Sequence, residues 1–145
     1  MKKVMLIGAA FAAIATSVMV LKLSANEATS PEAAAPEQGA PLVDVILPEQ
    51  LSAQAQIGKT AFDAVCSTCH GANATGRMGF GPPLVHRIYE PSHHGDMAFQ
   101  LAVQNGVKAH HWPFGNMPPQ SGLTRSDVDA IVTYVRELQA ANGIN

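Results

Sequence analysis

The amino-acid sequence predicts an all-α domain with long loops between its helices. Three segments place apolar residues at helical spacing, and no run alternates apolar and polar residues as a half-buried strand would. The loops over 71–95 and 106–122 are long for a domain of this size. We therefore expect that something other than side chains fills part of the interior.

The first predicted helix begins after Ser52, which can act as its N-cap, and runs to about Val65. Its apolar face holds Ile57, Ala61, Phe62 and Val65. Gly58 falls on the same side, where the lack of a side chain would let a second helix approach closely.

Two further helices are predicted from caps and apolar spacing. One covers Asp96–Asn105, with Asp96 as its cap and Gly106 as its end. The other begins at Thr124, which forms a capping-box pattern with Asp127. Its apolar positions, at i, i+3, i+4 and i+7 spacing, are Val128, Ile131, Val132, Val135 and Leu138.

The charge balance and the absence of several sequence motifs argue against some functions. The 145 residues include 9 basic and 11 acidic side chains, with a formal net charge of -2. No stripe of Lys and Arg is present, so nucleic-acid binding through phosphate contacts is not expected. The sequence also has no Gly-rich phosphate-binding loop and no Gly-x-Ser-x-Gly nucleophile motif.

The first 25 residues are interpreted as a signal-anchor or a signal peptide. Lys2 and Lys3 precede an uncharged apolar run over 4–21, which is typical of an export signal or a membrane anchor. Leu23 stands where a cleavage site would have a small residue, which favours an uncleaved anchor. Both alternatives place the domain on the periplasmic side of an inner membrane, either anchored by residues 4–21 or soluble after cleavage.

Residues 26–48 are rich in Ala, Pro and Glu and are predicted to form a flexible tether. A small apolar patch over 42–47 leaves a docking segment as the alternative. The folded domain is then expected over 49–145.

A C-x-x-C-H motif, Cys66-Ser67-Thr68-Cys69-His70, follows the first predicted helix. It is the attachment signature of haem c. Two thiols at i and i+3 lie on the same side of a helix end, where they can add to the two vinyl groups, and His70 can then bind the iron. A redox dithiol would be expected in a βαβ setting, and a zinc site usually has four ligands, often as two pairs. The motif therefore predicts one covalently bound haem c, which would complete the interior.

Met117 is the predicted second axial ligand of the iron. Two prolines follow it and restrict the loop, so that the thioether can be held near the metal. Met78 lies in a Gly-rich turn close to the attachment motif and Met97 begins a helix, so both are less suitable.

With these motifs, residues 50–143 resemble a class I, monohaem cytochrome c of the membrane-anchored or periplasmic bacterial type. Gly58 and Phe62 are similar to the glycine and aromatic residue of the family's first helix. Ile131 and Tyr134 are similar to their partners on its last helix. The resemblance implies the small cytochrome c fold, with three main helices and long loops wrapped around the haem.

The segment Gly81-Pro82-Pro83-Leu84 is similar to the family's Gly-Pro-x-Leu segment. The resemblance implies that the Pro82 carbonyl accepts a hydrogen bond from His70 and so orients the ring. The implied cofactor-binding residues are Cys66, Cys69, His70, Pro82 and Met117, of which His70 and Met117 bind the iron.

The resemblance implies a one-electron carrier rather than an enzyme, without catalytic residues. Its partners would be a redox-protein donor and acceptor, together with the inner membrane through the N-terminal segment, and no small-molecule substrate is expected. Because the domain has no lysine-rich face, docking through apolar contacts near the haem edge is expected. The alternative is a haem subunit or a copper-handling protein.

Five further histidines depart from the family pattern: His86, His93, His94, His110 and His111. Three interpretations stay open. The imidazoles are solvated or bond the haem propionates, or the pair at 110–111 supplies the distal ligand, or two or three of them hold copper together with a methionine. Trp112 is expected to pack by the haem, with its N–H on a propionate or a carbonyl.

Overall fold

The helices expected from the sequence are present in the computed structural model, which describes residues 36–145. Helix α1 covers Ala53–Val65, α2 Ser67–His70, α3 Asp96–Asn105 and α4 Arg125–Ala141, with 3-10 turns at Ala72–Ala74 and Arg87–Tyr89. The described residues contain two isolated β-bridges and no strand. The predicted all-α fold class is therefore confirmed.

Side-chain caps define where α1 and α4 begin. The Ser52 hydroxyl accepts the Ala55 N–H at 3.1 Å. At α4, Thr124 and Asp127 form a complete capping box in which each side chain bonds the other residue's backbone. These local bonds pair backbone N–H groups that a helix start leaves free, which is why the short sequence patterns located both starts.

Helix α3 begins differently from the prediction. Gly95 is its N-cap and makes no side-chain bond, and Asp96 is the first residue inside the helix. The Asp96 carboxylate instead accepts the Nε–H of Arg136 at 2.9 Å. The long-range ion pair therefore takes the carboxylate that was expected to cap the helix.

Helices α1 and α4 form the main packing contact of the fold. A Cβ added to Gly58 would lie 1.9 Å from the Ala130 carbonyl oxygen, so the two backbones nearly touch. One turn later, Phe62 is fully buried and meets Tyr134 edge-on, with ring centroids 5.6 Å apart. Ile57 was expected on this face but is 59% exposed, because the contact follows Gly58 and Phe62.

Part of the predicted tether is bonded to the domain. The Gly39 N–H donates to the Met78 carbonyl at 2.9 Å, and the Met78 N–H donates to the Ala40 carbonyl at the same distance. The Asn142 side chain donates to the Ile46 carbonyl at 2.8 Å and accepts the Ile46 N–H at 2.9 Å. The structure therefore differs from the flexible tether here, because backbone groups of this segment find partners on a loop and at the end of α4.

The predicted targeting segment, residues 1–25, lies outside the described residues, as does the first part of the predicted tether. Among residues 36–145, no helix combines the length and the apolar character needed to cross a membrane.

Candidate haem-attachment site

A cavity of about 510 Å³ lies among α1, α3, α4 and the long loops. Its wall includes both cysteines, His70 and Met117. The apolar part of the wall includes Phe62, Leu84, Phe99, Val103, Val128 and Ile131. A large apolar cavity with a few converging polar groups is the usual form of a cofactor site.

Cys66 and Cys69 are free thiols at the junction of α1 and α2. Burial, together with the neighbouring Cys69, raises the pKa of the Cys66 thiol to about 11. A reactive redox dithiol instead has a lowered pKa, because the thiolate is the nucleophile. The environment of Cys66 therefore does not favour the dithiol alternative.

His70 is held by the loop that follows the motif. Its Nδ1–H donates to the Pro82 carbonyl at 2.9 Å, which leaves Nε2 available. Burial lowers the pKa of His70, although the bond to Pro82 acts in the opposite direction, so the neutral ring is favoured. A Cβ on Gly81 would lie 2.7 Å from the Cys69 carbonyl, so glycine lets the loop lie directly on the motif. A neutral imidazole with one N–H bonded to a carbonyl is the form that binds metals.

Arg77 braces the attachment motif from the same loop. Its Nη1 donates to the Thr68 carbonyl at 2.8 Å, and its guanidinium lies 4.0 Å from the centroid of the Phe80 ring. These contacts hold the backbone of the motif in place.

Met117 is positioned by a two-way backbone bridge with Val107. Each residue's N–H donates to the other's carbonyl at 2.9 Å. A Cβ on Gly106 would lie 2.5 Å from the Met117 carbonyl, so this approach depends on glycine. Of the three methionines weighed as ligands, Met117 lines the cavity, whereas Met78 and Met97 are not part of its described wall.

Trp112 carries an unpaired donor. Its indole Nε1 is buried and has no hydrogen-bond partner among the described residues. The ring packs between His86, at a centroid distance of 5.2 Å, and Phe114, at 5.9 Å. Buried donors are nearly always bonded. The Tyr89 side chain offers this one a weak interaction, seen in its effect on the pKa of Tyr89, and a propionate oxygen could take its place. The apolar cavity, the two thiols, the neutral imidazole and this donor fit a haem, whose propionate would accept the indole N–H.

The other four additional histidines meet at the edge of the cavity. Ring nitrogens of His93, His94 and His111 all lie within 4.8 Å of one another. His110 lies beside His111, with ring centroids 4.2 Å apart. The pKa of His111 is lowered mainly by desolvation and, to a smaller extent, by the charges of the neighbouring imidazoles. Of the three interpretations left open, only the shared metal site requires two or three of these imidazoles to meet, and the sequence did not indicate which ones would do so.

Two residues of α4 that the sequence analysis missed organise the loop before α3. Arg136 donates to the carbonyls of Tyr89, at 2.7 Å, and His94, at 2.6 Å. Gln139 is fully buried and donates to the carbonyls of Leu84, at 2.7 Å, and Tyr89, at 3.0 Å. A signal was present, because Gln139 interrupts the apolar stripe of α4 and a buried polar side chain needs partners.

A family model for cytochrome c matches residues 55–139, which is more than half of the chain. No curated protein matches the sequence at a significant level. The matched stretch runs from the first turn of α1 to the last turns of α4, and it includes the C-x-x-C-H motif, the Pro82 loop and Met117. Sequence family, helical fold and cavity agree, and this chain is a member of the cytochrome c family.

Proposed function

We propose that this protein carries single electrons with one haem c, bonded through Cys66 and Cys69 and ligated by His70 and Met117. A cytochrome c domain implies a haem-binding electron carrier. The observation that supports the finer assignment is that both thiols, the imidazole and the thioether line one cavity. When bound, haem c supplies an iron couple that gains and loses one electron.

The chain's own residues set the conditions for that couple. The bond to the Pro82 carbonyl fixes the orientation of the His70 ring and makes its other nitrogen, Nε2, a more basic ligand for the iron. As a ligand, the Met117 sulfur would favour the reduced iron and so give a higher reduction potential than a second histidine would. The bridge to Val107 holds Met117 in place, so little rearrangement accompanies the change of oxidation state. With both His70 and Met117 bound, the iron would have no position for a substrate, which favours a carrier over an enzyme.

A redox-protein partner would dock at the edge of the cavity. Phe80 and Leu101 line the cavity, yet they are 41% and 49% exposed. Exposed apolar side chains at a cofactor edge support docking through apolar contacts.

We further propose that residues 4–21 anchor the protein on the periplasmic face of an inner membrane. The support is the sequence pattern of Lys2 and Lys3 before an uncharged apolar run. Fractionation of the native protein tests this. Recovery in the membrane fraction with residue 1 intact is expected, and a soluble, shortened protein would contradict the anchor.

Haem attachment is tested by mass spectrometry after expression with a competent haem-maturation system. We expect a red protein with the mass of the polypeptide plus one haem, and a reversible one-electron wave in voltammetry. Cys66→Ala should mature poorly with a single thioether. A colourless product with the mass of the bare polypeptide would contradict the proposal.

The iron ligands are tested by the weak near-infrared absorption band of a methionine-ligated ferric haem. Met117→Leu should abolish the band. The matched variants Met78→Leu and Met97→Leu, and also His110→Ala and His111→Ala, should retain it. A band that survives Met117→Leu and disappears in a histidine variant would show that an imidazole is the distal ligand.

A further inference from the structure

We infer that His93, His94 and His111 form a binding site for one divalent ion of the zinc–copper class, distinct from the haem ligands. One ring nitrogen of each lies within 4.8 Å of those of the other two. Three imidazoles that share one tetrahedral ion place their nitrogens about 3.3 Å apart. His93 and His111 are exposed and can rotate, so small side-chain movements would bring the nitrogens from the observed separation to the one that a bound ion requires.

The ring of His94 is already oriented. Its Nδ1–H donates to the Ile88 carbonyl, which leaves Nε2 as the ligand atom. Arg136 donates to the His94 carbonyl at 2.6 Å and fixes the backbone at this residue. Histidines that bind metals usually donate their second ring N–H to a carbonyl or carboxylate in this way. The polypeptide therefore already holds the ring and the backbone of His94 in the way that is usual for a metal-binding histidine.

A tight turn brings the adjacent histidines together. The N–H groups of His93 and His94 both donate to the Glu90 carbonyl, at 3.0 and 2.8 Å. The two rings consequently lie 4.7 Å apart. His111 approaches from the separate loop before Met117, with its ring 5.3 Å from that of His94. An ion at this point would tie the two loops together at the edge of the cavity.

The donor set decides which ions fit. The ligand group consists of imidazoles and contains no carboxylate or thiolate. Imidazole suits zinc, copper and nickel, whereas magnesium and calcium prefer oxygen ligands. Within this class Cu²⁺ binds such sites more tightly than Zn²⁺ does. Three protein ligands leave the fourth position for water.

The test uses the haem-loaded full chain without an affinity tag, treated with a chelator and then dialysed. Zinc sulfate and copper sulfate are titrated separately by calorimetry, and bound metal is counted against haem. We expect one ion per haem, with Cu²⁺ bound more tightly than Zn²⁺. Electron paramagnetic resonance of the Cu²⁺ form should show hyperfine coupling to nitrogen.

Variants identify the ligands. His93→Ala, His94→Ala and His111→Ala should each weaken binding by about 100-fold or more, since loss of an outer-shell partner alone costs about 10- to 100-fold. His86→Ala is the matched control, because this ring packs on Trp112 and does not belong to the ligand group, and it should retain affinity. His110→Ala should retain it as well. Unchanged haem absorbance shows that each variant is folded.

Three results would overturn the site: no stoichiometric binding, equal weakening by His86→Ala, or weakening by His110→Ala while His111→Ala binds normally. The site does not depend on electron transfer. Failure to bind zinc or copper with an intact haem spectrum removes this inference alone, whereas failure to attach haem removes the proposed function.

Discussion

The backbone of Gly58 lies so close to the carbonyl of Ala130 that a methyl group on Gly58 would stand 1.9 Å from that oxygen. This contact sets how closely α1 and α4 cross. One turn further along α1, Phe62 packs on Tyr134 and also lines the cavity. The crossing therefore fixes the wall of the cavity next to the attachment cysteines.

Gly58→Ala should destabilise the haem-loaded protein by about 1–3 kcal/mol, because the added methyl group forces the helices apart. The sign of this stability change is informative, because in a helix without such a contact alanine is more stable than glycine by about 1 kcal/mol. Denaturant unfolding measures the change. Gly95→Ser is the control and should not lower the stability, because the nearest atom to its Cβ would be 3.6 Å away and serine is a favoured N-cap. An unchanged or raised stability of Gly58→Ala would contradict the close crossing.

Arg136→Lys should lower the free energy of unfolding by about 1.5–3 kcal/mol, the usual range for charge-assisted hydrogen bonds. An ammonium group cannot reach the carbonyls of Tyr89 and His94 and the Asp96 carboxylate with the same planar geometry. Arg125→Lys, at an exposed position on the same helix, is the control and should change little. Equal stabilities of the two variants would show that Arg136 does not organise the loop.

Asn142→Ala should release the leading segment from the domain. The variant loses both bonds to the backbone of Ile46, so the Ile46 amide should exchange with solvent faster. We expect a loss of overall stability of about 1 kcal/mol. Amide exchange followed by NMR reports the first effect, with Asn145→Ala as control. If the Ile46 amide exchanged at the same rate in both proteins, the bonds to Asn142 would not hold this segment, as the prediction of a flexible tether implies.

Thr124→Ala should remove the cap of α4 and cost about 1 kcal/mol at neutral pH. The Thr124 side chain and backbone lower the pKa of Asp127 from 3.8, so the native protein favours the ionised carboxylate. The stability that ionised Asp127 contributes is fully present above pH 3.8, its pKa in the unfolded chain. It is lost as the pH falls through the lower pKa of Asp127 in the folded protein. The stability difference between the native protein and Thr124→Ala should therefore shrink in acid.

Thermal unfolding between neutral pH and about pH 2 measures this trend, because the range begins above the ordinary pKa of aspartate and extends well below it. Thr133→Ala, in the middle of the same helix, should differ from the native protein by a constant amount. A difference that stays constant for Thr124→Ala as well would exclude Asp127 as the source.

The features that the sequence predicted correctly are local. The caps at Ser52 and Thr124 are confirmed, and each involves residues only three positions apart, so spacing alone reveals them. The prediction was wrong at Ile57 and Asp96, where the crossing at Gly58 and the ion pair with Arg136 decide the outcome.

Two other features depend on the folded chain. The contact of Ile46 with Asn142 joins residues far apart in sequence. The meeting of His93 with His111 requires two loops to be brought together by helices that carry neither residue. No periodicity or motif encodes such approaches, which become visible only when the backbone is placed.

The bonds between Ile46 and Asn142 also place the segment that leads into α1 beside the end of α4. A short peptide bridge there would close a ring, which could be reopened at Gly122, where an added Cβ meets no atom within 4 Å. In such a circularly permuted protein the helices would follow one another in a new order around the same pocket. The order of the helices along the chain could thus be changed without changing the pocket that they surround.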